Sequence, residues 1–154
     1  MSIDVGDPLP EFSLPTDGGG TMSAADLRGK TTVLYFYPRD DTSSCTKEAQ
    51  AFRDDAEAYA AAGVRVVGVS PDSIASHDKF KGKHALPFDL VSDAEKTLAQ
   101  AMGVWVEKSM YGRKYMGIER STFLIDADGV VRKVWRKVKV AGHAADVLTA
   151  ARAL

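Results

Sequence analysis

Only one cysteine, Cys45, stands among the 154 residues of the chain. That scarcity excludes an intramolecular disulfide, a Cys-x-x-Cys redox pair and a cysteine-rich zinc site. Any disulfide must form with another molecule. Histidine is scarce too, and His77, His84 and His143 share no His-x-x-x-His or similar spacing, so no metal site is expected. Charge of one sign is not in surplus: the formal net charge is −1 with 27% charged residues, which gives no reason to expect nucleic acid as a partner. No apolar run approaches bilayer length, and the segment from Met1 to Asp7 has no basic stretch leading into an apolar one. A cytoplasmic location and no membrane partner are the expectations. Nor does any linker, repeat or low-complexity tract divide the chain, so residues 1–154 are expected to form one domain with a core of its own.

The segments that are present alternate in type. Thr31-Thr32-Val33-Leu34-Tyr35-Phe36-Tyr37 is a β-branched and aromatic run without polar alternation beyond its start, which suits a strand buried on both faces, ended by Pro38. Cys45, Ala49, Phe52, Ala56 and Tyr59 then recur at helical spacing, with Lys47, Glu48, Arg53, Asp54 and Glu57 mostly off the stripe, and Gly63 stops the predicted helix. Val64 to Val69 reads as the next strand, completing a crossover that favours parallel pairing. A helix over 73–83, a strand over 88–91, a helix over 94–102 and a strand and loop over 104–117 are expected next. Ser121 to Ile125 and Val130 to Trp135 flank Asp126-Ala127-Asp128-Gly129 as a hairpin, and Ala144, Val147, Leu148, Ala151 and Leu154 share one face of a final helix. Near the start, Gly18-Gly19-Gly20 separates two short strands. This order is similar to that of a thioredoxin-like α/β fold, a mixed central sheet flanked by helices, with a short N-terminal β-extension.

Thr42 is a good N-cap, which puts Cys45 in the first helical turn, where unsatisfied N–H groups and the helix dipole favour an anion. The thiolate is that anion, and it is the reactive form. Cys45 also lies on the apolar stripe, so position alone supports a buried structural thiol as well as a reactive one. Taken together, an inward-facing thiol at a helix N-terminus beyond the carboxyl end of a central strand describes a small pocket.

Tyr35 to Glu48, read as Tyr-Phe-Tyr-Pro-Arg-Asp-Asp-Thr-Ser-Ser-Cys-Thr-Lys-Glu, resembles the peroxiredoxin signature Pro-x-x-x-Thr-x-x-Cys, in its peroxiredoxin Q or bacterioferritin comigratory protein branch. Resemblance continues through Gly68 to Asp72, Leu90 to Asp93, Gly117 to Asp126 and Trp135 to Val140, covering nearly the whole chain in order. It implies a thiol-dependent peroxidase acting on hydrogen peroxide and organic hydroperoxides, without a cofactor. By the same resemblance Cys45 is the nucleophile that becomes a sulfenic acid, and Thr42 hydrogen-bonds the thiolate or the peroxide. Arg120 favours the thiolate and stabilises the leaving oxygen, Glu48 orients that arginine, and Pro38 shields the thiolate from water. Each residue also has a plainer role: Thr42 as a cap, Pro38 as a strand terminator, Glu48 and Arg120 as surface charges. Tyr35, Phe36 and Trp135 read as core or pocket wall, since no cofactor fingerprint accompanies them.

Two departures carry consequences. Ser43-Ser44 replaces the Pro-Gly often found in the family, which implies a looser loop, and leaves a weakened binding or holdase module as the alternative to an enzyme. Relatives often carry a resolving cysteine five residues after the first, where this chain has Gln50, and none occurs between Ser73 and Lys83. The resemblance is therefore to a one-cysteine variant, recycled by an external thiol such as thioredoxin, glutaredoxin or glutathione. A monomer is expected, because no long exposed apolar stripe is evident. A thiol-disulfide oxidoreductase of the same fold is disfavoured, since Thr42 stands where its first cysteine would be.

Overall fold

The computed structural model describes residues 3–154; Met1 and Ser2, part of the N-terminal stretch read above, lie outside them. Five strands form the central sheet: β3 (Thr31–Phe36), β4 (Val64–Ser70), β5 (Asp89–Ser92), β8 (Ser121–Ile125) and β9 (Val131–Trp135), in the order β5-β4-β3-β8-β9. β3, β4 and β5 run parallel, whereas β8 pairs antiparallel with β3, and β9 with β8. Helices α1 (Ser43–Asp54), α2 (Ala56–Ala61), α3 (Ile74–His84), α4 (Thr97–Ala101) and α5 (His143–Arg152) flank it. The short strands β1 (Ser13–Pro15) and β2 (Thr21–Ser23) make the N-terminal extension around the three glycines.

Burial of β3 on both faces splits its side chains between two cores. Val33 and Tyr35 join Cys45, Ala49 and Phe52 of α1, Tyr59 of α2, Phe80 of α3 and the α5 stripe. Leu34 and Phe36 pack instead with α4 and the N-terminal segment. Asp17 ties that segment down, accepting from the Leu90 N–H and from Lys81 Nζ, each at 2.8 Å. Gly68 on β4 lies against the Tyr35 ring: a Cβ there would meet the Tyr35 Cζ and hydroxyl and Leu90 at 3.0 Å.

Several sequence expectations need correction. The helix expected from Cys45 to Gly63 is two helices, broken at Asp55 (φ −93°, ψ 6°), where consecutive aspartates Asp54 and Asp55 weaken helix propensity. Gly63, with φ of 72°, still ends the second of them. α4 covers only Thr97–Ala101 because Lys96 takes a left-handed conformation before it. The strand and loop expected over 104–117 form a two-stranded ribbon, β6 (Trp105–Met110) and β7 (Arg113–Ile118), turned by Tyr111 and Gly112 at positive φ. This ribbon exposes Met110, Tyr111, Tyr115 and Met116, so the reason given for a monomer does not hold there. Leu154, assigned to the buried face of α5, is half exposed past the helix end. Among the described residues, no helix is long and apolar enough to cross a membrane.

Candidate active site

β3 delivers the chain into a loop that begins at Tyr37 and ends at Thr42, and Cys45 is the third residue of α1. The first helical bond runs from the Thr46 N–H to the Thr42 carbonyl at 2.9 Å, so the N–H of Cys45 belongs to the unsatisfied first turn. The apolar stripe turns the thiol inward, and Cys45 is buried.

Arg120 reaches this thiol from 75 residues away. Antiparallel pairing of β8 with β3 sets Ser121 opposite Phe36, so the residue just before β8 falls beside the loop just after β3. Its carbonyl is fixed by the Val138 N–H at 3.0 Å. The guanidinium then donates from Nη2 to Cys45 Sγ at 3.3 Å and from Nη1 to Glu48 Oε1 at 2.6 Å. Glu48 lies one turn along α1 from Cys45, which brings carboxylate and sulfur to the same side of the helix and onto one guanidinium. Unlike the solvated helix residue of its plainer reading, Glu48 is buried.

Burial pushes the Glu48 carboxyl up to about 7, against the opposing pull of Arg120. Its Oε2 has no hydrogen-bond partner among the described residues, and neither has the buried Tyr35 hydroxyl. Burial, then Glu48 and Cys45, hold the Tyr35 phenol well above its ordinary range, so it stays neutral. Burial works against the charge of Arg120, but Glu48 and Cys45 outweigh it and the guanidinium remains a fixed cation. Lys108 of β6 is a further cation near the site, lowered first by burial and then by Arg120.

The structure brings Cys45, Arg120 and Glu48 into direct contact. Thr42 occupies the N-cap position but its hydroxyl does not cap the helix; it donates to the Arg39 carbonyl at 2.9 Å and closes the loop on itself. Pro38, half-buried, opens the loop. Gln50, at the position of the absent second cysteine, faces His84 at the end of α3, with 3.5 Å between Nε2 and Nδ1. A buried network behind the loop, joining Asp40 to His77, escaped the sequence reading. The one signal for it is that His77, spaced with Ile74 and Phe80 on one side of a helix, needs a polar partner, which the sequence does not name.

His143 packs edge-on against Phe52 and Trp135 and meets Thr122 Oγ1 through Nε2 at 2.8 Å. Burial pushes its ring down to about 4. The unfolded chain therefore binds the extra proton first, and stability from this residue falls as pH drops from 6.5 towards 4. Glu48 has the opposite sign, its raised value favouring the folded state as pH falls from 7 to 4.5. In urea unfolding, His143→Phe should gain on the parent by up to about 3 kcal/mol as pH is lowered across that window. A pH-independent difference would mean that the ring is not held neutral.

Residues 5–134 match the AhpC/TSA family. The chain is 54% identical over 148 residues to a protein of Coxiella burnetii named putative peroxiredoxin bcp, covering 96% of this chain and 98% of that one. Among solved structures, a cysteine-to-serine mutant of Xylella fastidiosa PrxQ superposes with a TM-score of 0.94 at 38% identity, covering 99% of this chain and 98% of that one. The bacterioferritin comigratory protein of Xanthomonas campestris, described for its alkyl peroxide reduction activity, superposes at 0.89 with 44% identity, over 92% and 90% of the two chains. The fold is thus of the thioredoxin-like peroxiredoxin type.

Proposed function

Because the chain belongs to the AhpC/TSA family, as a peroxiredoxin of the Bcp or peroxiredoxin Q branch with one cysteine, we propose a division of labour for its thiol-dependent peroxidase reaction. Cys45 attacks the terminal oxygen of the peroxide as a thiolate. The S–O bond forms, the O–O bond breaks, and the released alkoxide or hydroxide takes up a proton, leaving a sulfenic acid. Arg120 is the donor that stays in place while negative charge moves from sulfur to the leaving oxygen. Glu48 holds the far side of the guanidinium, and the Thr42 oxygen, its proton engaged with Arg39, accepts from the peroxide O–H. Pro38 keeps water from the sulfur. Alkyl hydroperoxides are the substrates suggested by the Xanthomonas relative.

The observation that carries this reading is the 3.3 Å contact between Arg120 Nη2 and the buried Cys45 sulfur. Recycling needs an outside thiol, which condenses with the sulfenic acid to give a mixed disulfide and water; a second thiol then releases Cys45. Thioredoxin, glutaredoxin or glutathione in a reducing cytoplasm would serve. Without reductant, the protein should consume about one peroxide per chain and stop, then drift to sulfinic acid as peroxide is raised. Intact-mass analysis after graded peroxide, with a sulfenic-acid trap, follows each species. Rapid, complete conversion to a covalent dimer would instead mean that a second Cys45 resolves the first.

A further inference from the structure

Behind the Cys45 loop lies a buried cluster for which the peroxidase reaction as described has no use. The Asp40 carboxylate takes three side-chain contacts: Tyr37 hydroxyl on Oδ1 at 2.5 Å, and Ser76 Oγ at 2.8 Å and His77 Nδ1 at 2.7 Å on Oδ2. Tyr37 and Ser76 donate to the carboxyl group, and the direction of the His77 contact is set by which of the two partners carries the proton. The other ring nitrogen of His77, Nε2, is 3.0 Å from the Val91 carbonyl oxygen, which has no proton to give. The ring is fully buried. A neutral imidazole carries one N–H and one lone pair, so beside an ionised Asp40 either tautomer would aim its lone pair at an acceptor oxygen. With Asp40 ionised, only the doubly protonated ring satisfies both contacts; a neutral ring does so only where the proton sits on Asp40 instead.

The groups around the ring agree with that charge. Asp72, from the turn between β4 and α3, accepts from the Asp40 backbone N–H at 2.7 Å and from Ser70 Oγ at 2.6 Å, and adds a second carboxylate nearby. Tyr37 is kept neutral by burial. On α3, Lys81 is engaged by Asp17, and Lys83 and His84 by Asp41. From β5 the Val91 carbonyl meets the ring. Burial opposes the charged ring, but the hydrogen bond and charge of Asp40, the Val91 carbonyl and Asp72 outweigh it and hold His77 above its ordinary value.

This ion pair joins three elements: the loop leading to Cys45, α3 and β5. The loop's other charged tether, Asp41 to Lys83 and His84, is half exposed and open to screening. We propose that His77 is a positioning residue of the peroxidase site, an imidazolium clamped between Asp40 and the Val91 carbonyl that anchors the loop carrying Pro38 and Thr42 and sets the first turn of α1. The proposal rests on Cys45 being the nucleophile. Loss of the ring proton at alkaline pH removes one of the two contacts and leaves the buried carboxylate without its countercharge. Peroxide reactivity should then fall on an alkaline limb as the ring gives up its proton.

Two measurements on the full chain test this. In ring nitrogen NMR of the parent at neutral pH, both His77 nitrogens should be protonated; one nitrogen of the unprotonated type would overturn the proposal. His77→Phe should slow the reaction of Cys45 with peroxide on the order of tenfold or more, as expected for a displaced reacting group, and change its alkylation rate by iodoacetamide. His77→Asn, which retains an N–H near Asp40 without a titrating proton, should keep more of the neutral-pH rate and lose the alkaline limb. Variants that unfold more easily but react at the parent rate per folded molecule would reduce His77 to a structural group. Absence of peroxide consumption by the parent would sink the peroxidase reading instead, leaving the NMR and alkylation results to decide the positioning role.

Discussion

Cys45→Ser is expected to abolish peroxide consumption in the presence of excess thiol while leaving the molecule folded. A serine hydroxyl is not ionised at any working pH, and no second thiol exists in the chain to take over the attack on peroxide. Folding should survive for a local reason. Arg120 Nη2, which now donates to sulfur, can donate to the serine oxygen, and Nη1 keeps its 2.6 Å bond to Glu48, so neither the new hydroxyl nor the buried carboxylate loses its partner. The stability change should stay within about 1 kcal/mol. Peroxide loss followed optically, beside a urea unfolding curve, separates the two claims. Turnover above background in a folded Cys45→Ser protein would remove Cys45 from the mechanism.

The parts legible in the sequence were those governed by local chemistry. An uninterrupted β-branched and aromatic run announced β3 as a strand buried on both faces, and its alternate side chains do enter two cores. The spacing of Cys45, Ala49 and Phe52 announced the inward face of α1. What stayed hidden depends on long-range pairing. The period of the stripe runs on through Ala56 and Tyr59, so nothing in it marks the break at Asp55. The ribbon of β6 and β7 carries half-exposed aromatics on both strands, and this blurs the alternation that betrays a strand. Arg120 was legible only through family resemblance, because its place beside Cys45 follows from the pairing of Ser121 with Phe36. Glu48, three residues after Cys45 and four before Phe52, shares their face, and its charge is what hid its burial; Arg120 gives it the partner that a buried carboxylate requires. The Asp40–His77 contact joins a loop to a helix 37 residues on, and no short-range pattern encodes it.

Arg120 separates activation from stability. Arg120→Met removes the donor to sulfur, and with it the interaction that favours the thiolate and meets the charge on the departing oxygen. The peroxide rate should fall by about 10²–10³, the range seen when a single oxyanion donor is lost. The same change leaves Glu48 buried with neither oxygen paired, since Oε2 already lacks a partner. Breaking such a pair from one side is destabilising by about 3–5 kcal/mol. That loss must depend on pH. Glu48 is pushed up to about 7 even with Arg120 beside it, and without the guanidinium its folded-state value rises further. The folded variant then keeps its proton where the unfolded chain has lost it, so the variant is least harmed below about pH 4.5 and loses stability as pH rises above that. Adding Glu48→Gln removes the charge, and the double variant should regain most of the lost stability at neutral pH. It should not regain the rate, because no cation has returned to the sulfur. Stopped-flow oxidation and urea unfolding of the parent, the two single variants and the double variant complete the cycle. Recovery of both properties together would mean that Arg120 acts on Cys45 only by keeping the helix folded.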